Sequence, residues 1–307
     1  MPSLSRYGKS VLGLLWLAGA LAGMGMAQAQ AQTGKEIVLH SFAANLPKGG
    51  FPYAGVIRDS AGNLYGTTYS GGTANAGVVF KVNAAGHQAV LYSFTGGADG
   101  GHPHAGVIRD PAGNLYGTAG GGPAGAGVVY ELDAAGQETV LYSFTGGADG
   151  LGPNAGVIRD SAGNLYGTTY GGGTAGAGVV YKLDTVGQET VLYSFTGGAD
   201  GGEPIAGVIR DSAGNLYGTA EYGGTAGWGV VYKLDTAGHE AVLYSFTGGA
   251  DGRYPDAGVI RDSASMGPPN TAAQRAWARC SRWIRPARRR CCTASRAGRM
   301  GASPSQA

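Results

Sequence analysis

The sequence predicts an all-β fold: an incomplete, β-propeller-like tandem repeat of four-stranded blades with a period near 51 residues. Three observations predict it. The Asp of a Gly-Val-Ile-Arg-Asp segment recurs as Asp59, Asp110, Asp160, Asp211 and Asp262, at steps of 51, 50, 51 and 51. Self-similarity at about 40–50 residues marks blade or solenoid architectures, in which one unit cannot bury its apolar face without a neighbour. Each unit also holds four runs of β-branched and aromatic residues bounded by Gly, Asp or Asn, with no room for a helix. Short strands at even spacing favour blades, with a stacked β-solenoid as the alternative.

The unit from Ala206 to Phe246 shows each element in order. Strands A (Val208 to Arg210) and B (Leu216 to Thr219) flank Asp211-Ser212-Ala213-Gly214-Asn215, a turn rich in residues that tolerate positive φ. Strands C (Val230 to Leu234) and D (Val242 to Phe246) flank a second such turn, Asp235 to His239. Strand A is expected to lie innermost.

Along the chain, residues 1–31 carry Arg6 and Lys9, an apolar run from Val11 to Met24, and Ala27-Gln28-Ala29-Gln30-Ala31. This basic, apolar, small-residue order reads as a secretory signal peptide. The apolar run is shorter than the roughly 20 residues a membrane span needs, so no transmembrane span is expected. The repeat domain is read over 32–264. It opens on Ile37 to Phe42, a strand D alone, continues through four complete units, and ends on a lone strand A after Ala257. A lone D and a lone A would let one blade be shared between the two ends, which removes exposed sheet edges.

From Ser265 the composition turns to Arg, Pro, Cys and Trp, and the genetic code explains why. Codons that encode Cys291 to Gly301 also encode, from the third base, Leu-Tyr-Ser-Phe-Thr-Gly-Gly-Ala-Asp-Gly, the repeat's strand D and linker. Codons for Met266 to Gln274 likewise yield Gly-Thr-Thr-Glu-Tyr-Gly-Gly-Thr, the end of strand B and its loop. Residues 265–307 are therefore read as an out-of-frame, disordered tail. Its loss of strands B and C predicts low stability and edge-mediated self-association.

The frame reading removes two signals. Cys280, Cys291 and Cys292 all lie in the tail, so neither a disulfide framework nor a metal site is supported. Nine of the 22 basic residues are tail arginines. Without the tail and the leader, 11 basic residues stand against 20 acidic ones, a net charge near −9 that argues against nucleic acid and anionic membranes.

The repeats resemble those of secreted bacterial proteins known as choice-of-anchor tandem repeat GloVer-containing proteins. The resemblance rests on Gly-Asn-Leu-Tyr-Gly-Thr-Thr (Gly62 to Thr68, Gly163 to Thr169), Gly-Val-Val-Tyr-Lys-Leu (Gly178 to Leu183) and Leu-Tyr-Ser-Phe, over Ile37 to Ala264. It implies an exported, glycine-rich, propeller-like protein at the cell surface, with no activity to carry over. The family's C-terminal anchoring segment is not found here, as a shifted frame would produce.

No nucleophile elbow, zinc-protease motif or phosphate loop occurs, and no cofactor is expected. The Asp closing each strand A is read as a hydrogen-bond acceptor for its own turn rather than as part of a catalytic ring. The linker residues Asp99, Asp149, Asp200 and Asp251 offer one carboxylate each, too few for calcium. His102 and His104 lack a third metal ligand. Unlike the near-invariant A–B and C–D turns, the D–A and B–C loops differ between units, and in an up-and-down blade they emerge on one face. Read as a binding surface, that face supplies the candidate ligand-binding residues Tyr53, His102, His104, Asn154, Glu203, Trp228, Tyr254 and Asp256; the alternative is drift at tolerant loop tips. The function expected is a non-enzymatic module that binds a glycan, peptide or cell-surface component. The alternative is a lyase or glycosidase acting through carboxylates such as Glu203, Glu221 and Asp256.

Overall fold

The computed structural model describes residues 37–42 and 47–260; the segments read as a leader and as an out-of-frame tail lie outside them. The chain divides into two units between Val38 and Leu39. Of the first, only Ile37 and Val38 are described, both exposed. All that follows concerns the second.

Among the described residues, sixteen strands form four antiparallel sheets, each built from four consecutive strands in chain order. Blade 1 holds β1 (Ile57–Arg58), β2 (Leu64–Thr68), β3 (Val78–Val82) and β4 (Gln88–Ser93). Blade 2 holds β5 (Ile108–Arg109), β6 (Leu115–Ala119), β7 (Val128–Leu132) and β8 (Glu138–Ser143). Blade 3 holds β9 (Ile158–Arg159), β10 (Leu165–Thr169), β11 (Val179–Leu183) and β12 (Glu189–Ser194). Blade 4 holds β13 (Ile209–Arg210), β14 (Leu216–Ala220), β15 (Val230–Leu234) and β16 (Glu240–Ser245). The predicted strand C of the fourth unit matches β15 residue for residue. Strand A is one residue shorter than predicted, and strand D starts two residues earlier, at Glu240.

Strand alternation explains why the third strand of each blade is nearly all apolar. In β7, Val128, Tyr130 and Leu132 face blade 1 and join Tyr65, Ala76, Val79 and Phe94. Val129 faces the other way, where it packs with Tyr116 and Phe144 against Leu165, Val179 and Tyr181 of blade 3. With both faces buried, no position is left for the polar half of an alternating pattern. Each fully buried side chain of this size contributes about 1.5–3 kcal/mol before conformational entropy is counted. The fourth strand carries a bulge. Val79 pairs Tyr92 while Phe80 pairs Val90, so Leu91 is extra and both Leu91 and Tyr92 pack into the joint with blade 2.

The glycine of each Leu-Tyr-Gly-Thr strand is there for room. Gly117 pairs across the ladder with Tyr130, whose ring lies over it, and a methyl on Gly117 would stand 2.5 Å from the tyrosine oxygen. Gly218 repeats this with Tyr232. Joints are also tied by polar contacts. Thr67, Thr118 and Thr168 donate from their hydroxyls to the carbonyls of Ala105, Ala155 and Ala206 in the next blade. Arg109, Arg159 and Arg210 stack over Tyr65, Tyr116 and Tyr166 of the blade before.

Neither Leu39 to Phe42 nor Ala257 to Ile260 is assigned to a strand. Their places are nonetheless those of blade strands. Phe42 lies 4.9 Å from Phe80, as Phe94 lies 5.1 Å from Tyr130 and Phe144 lies 5.1 Å from Tyr181. Thr219 donates to the Ala257 carbonyl at 3.1 Å, continuing the series of threonine contacts.

Candidate functional site

The loops that vary between units meet on one face of each blade. The loop before the first strand and the loop between the second and third are bridged at Gly50 and Ser70, Gly101 and Gly120, Leu151 and Gly171, and Gly202 and Tyr222. Within these pairs the amides of Tyr69, Tyr170 and Glu221 donate to the carbonyls of Phe51, Gly152 and Glu203.

The residue preceding the loop proline takes a left-handed backbone in every unit: Phe51 (φ 56°), His102 (52°), Gly152 (68°), Glu203 (56°) and Tyr254 (52°). This conformation turns its amide toward the preceding blade. His102, Gly152, Glu203 and Tyr254 donate to the carbonyls of Ala76, Ala126, Ala177 and Trp228. Glycine suits such a position, and any other residue costs about 1–2 kcal/mol. Only one unit uses glycine. There, a methyl on Gly152 would collide with the ring of Tyr170, so the adjoining loop fills the place that a side chain fills elsewhere.

The side chains so displayed form two patches of different chemistry. Across blades 1 and 2, Tyr53 and Phe51 are exposed, their rings 6.3 Å apart and inclined by 23°. Tyr53 lies 6.0 Å from His104 with the planes within 10° of parallel. Tyr69 backs this row, 5.4 Å from Tyr53, 4.8 Å from His102 and 5.0 Å from His104. His102 Nδ1 reaches the Tyr69 carbonyl at 3.0 Å. Burial and the neighbouring His102 hold the His104 imidazole below its ordinary pKa.

The second patch lies on the loops flanking blade 4. Tyr254 contacts Tyr222 and Trp228, each at 5.2 Å, and Arg253 stacks over both Trp228 and Tyr254. Glu221 is raised by its own burial and by the charges of Asp256 and Glu203. Burial raises Asp256 as well. Trp228 is half-buried and also packs with Val231 and Phe246, so it covers the outward side of blade 4 as well as bordering the loops. Asn154 stands apart from both patches, half-buried, its amide donating to the Gly152 carbonyl.

The structure thus groups Tyr53, His102 and His104 in one patch and Glu203, Trp228, Tyr254 and Asp256 in another. Phe51, Tyr69, Tyr222 and Arg253 are the members sequence reasoning missed. Tyr69 was signalled by its position, since Tyr69, Tyr170 and Glu221 are the varying residue directly after an otherwise uniform strand. The periodic carboxylates have local duties. Asp59 accepts from Asn63 Nδ2 at 2.8 Å, from the Asn63 amide at 2.8 Å and from the Tyr65 hydroxyl at 3.0 Å, which hold its pKa down at about 2. Asp99 accepts from the Thr95 amide, the Thr95 hydroxyl and Tyr92, which closes the linker turn. Burial pulls Asp99 upward, yet these hydrogen bonds outweigh it and its pKa falls.

The sequence profile of the Gloeobacter/Verrucomicrobia repeat matches residues 22–197 and again 89–267. No curated protein matches the chain. Among solved structures, it is similar to a candidate gluconolactonase (17% identity, TM-score 0.40, 61% of each chain covered). It is also similar to a candidate 6-phosphogluconolactonase from Bacteroides uniformis (15% identity, TM-score 0.40, 64% of this chain and 57% of that one). The chain spans about three-fifths of the length of these two structures. At such identity and TM-score, neither bears on what the chain does.

Proposed function

We propose, for a chain that belongs to the Gloeobacter/Verrucomicrobia repeat family, a non-enzymatic role outside the cytoplasm: binding a glycan at the cell surface through the variable loop face. The leader-like order of residues 1–31 supports export. Among the described residues no helix is long and apolar enough to cross a membrane. The observation that carries the binding role is the set of large side chains, Phe51, His102, Glu203 and Tyr254, held at positions where the backbone favours glycine. Strain that recurs on one face and nowhere else among the described non-glycine residues, save at Asn75 in the same loops, points to what those side chains contact.

The row of Phe51, Tyr53 and His104 suits the apolar faces of sugar rings. Calorimetric titration with soluble cell-wall oligosaccharides tests it. Tyr53→Ala with His104→Ala should weaken binding at least tenfold and leave the far-UV spectrum unchanged. A ligand held equally well by that variant and by Trp228→Ala with Tyr254→Ala would place binding elsewhere. A second reading, a glycosidase or lyase, draws on Glu221, whose pKa is raised by its burial and by the nearby Asp256 and Glu203. Release of reducing ends that disappears in Glu221→Gln would favour it over the binding role.

A further inference from the structure

The blade joints contain a group that neither the loops nor the hydrophobic core requires. Strand D of blades 2, 3 and 4 opens on Glu138, Glu189 and Glu240, and that of blade 1 on Gln88. In all four, Oε1 is buried and has no hydrogen-bond partner, so the four side chains share one placement. In blade 1 the other terminal atom is a donor: Gln88 Nε2 gives a 2.7 Å hydrogen bond to the Lys48 carbonyl. Lys48 precedes the left-handed Gly49, just as Asp99, Asp149 and Asp200 precede Gly100, Gly150 and Gly201. By their equivalent place in the repeat, the glutamates turn a carboxyl group toward the linker before their own blade, within the influence of its aspartate, where blade 1 has an amide.

The surroundings of that oxygen are hostile to charge. The groups acting on Glu138 or acted on by it are Asp99 of the linker, Tyr92 of β4 and Tyr130 of β7. Glu189 faces Asp149, Tyr142 and Tyr181, and Glu240 faces Asp200, Tyr193 and Tyr232. None of these groups is a cation that would offset the charge of an ionised glutamate. The aspartates cannot take the proton instead, because their own hydrogen bonds keep them ionised.

We propose that Glu138, Glu189 and Glu240 are proton-dependent clasps, each closing the joint with the preceding blade as a neutral acid that donates to the linker carbonyl. Ionisation opens the clasp, since two acceptors then face each other beside an aspartate. Burial and the linker aspartate raise all three from 4.5 to about 7. The folded value lies above the unfolded one. The stabilisation is therefore complete below about 4.5 and is lost as pH rises through about 7. The array is tightest in mildly acidic surroundings.

The test uses the full chain. Its melting temperature should fall by roughly 5–10 °C between pH 5.5 and 8.5, an effect discounted for partial exposure of the carboxyls. Glu138→Gln, Glu189→Gln and Glu240→Gln together should flatten that slope, since blade 1 already tolerates Gln88, whereas Gln88→Glu should steepen it. A triple variant that keeps the wild-type slope overturns the proposal. Carboxyl carbon NMR provides a readout independent of any substitution. Three glutamate resonances should titrate near pH 7, and glutamates that all titrate below pH 5 overturn the proposal equally.

Discussion

Tyr130, Tyr181 and Tyr232 bury their rings completely, and their hydroxyls have no hydrogen-bond partner among the described residues. Burial pushes all three phenols far above their ordinary pKa, so each hydroxyl stays neutral and unpaired. Blade 1 shows the alternative, because Phe80 fills the same place at 2% exposure. An unpaired buried hydroxyl costs about 1–3 kcal/mol. Against this, removing one oxygen leaves a void worth roughly 0.3 kcal/mol. Tyr130→Phe should therefore stabilise by about 1 kcal/mol. The three sites lie in separate joints, so the triple variant should gain about 3 kcal/mol. In a chain of this size that is a rise of roughly 6–12 °C in melting temperature. Urea denaturation at constant m-value measures it, with Phe80→Tyr as the reverse control. A loss of stability in each single variant would refute the reasoning and indicate a trapped water pairing the hydroxyl.

Two further outcomes follow from backbone and packing. Gly117→Ala should cost about 1–3 kcal/mol by forcing the Tyr130 ring out of its place. Gly55→Ala, with no atom within 4 Å and no left-handed backbone, should change the denaturation midpoint by less than about 0.5 kcal/mol. Equal effects at the two sites would show that propensity, not the ring, fixes the glycine. Phe51→Gly and Glu203→Gly should leave stability unchanged or raise it by up to about 1 kcal/mol in the same assay, because relief of the left-handed backbone outweighs the added freedom of the unfolded chain.

The blades were legible because their cause is local. The turn around Asp211 and the apolar run of β15 are written in adjacent residues, and the structure keeps both. That the variable loops share a face followed from strand count alone, and the bridges between them bear this out. Three features were not legible. The bulge at Leu91 depends on how two strands accommodate each other, so Leu-Tyr in succession gave no alternation to read. The placement of Glu240 was hidden because the reading began strand D at Val242, and what the glutamate faces belongs to another blade. The double role of Trp228 was hidden because the sequence shows a residue departing from the repeat, but not that its ring lies against Val231 and Phe246.

Stability and variation are segregated in this chain. Several contacts that fix one blade on the next are uniform: threonine to alanine carbonyl, arginine over tyrosine, phenylalanine against the ring of the following blade. Most of the variation between blades sits on the two loops that those joints hold together. Loop drift alone would be expected to settle on glycine at a left-handed position, since glycine lowers the backbone cost. Gly152 shows that the position accepts glycine. Phe51, His102, Glu203 and Tyr254 keep large side chains in the same backbone, and in the remaining unit the ring of Tyr170 takes up the space. A face that stays filled by different chemistry in every blade, against its own backbone preference, is the physical ground for the binding role proposed above.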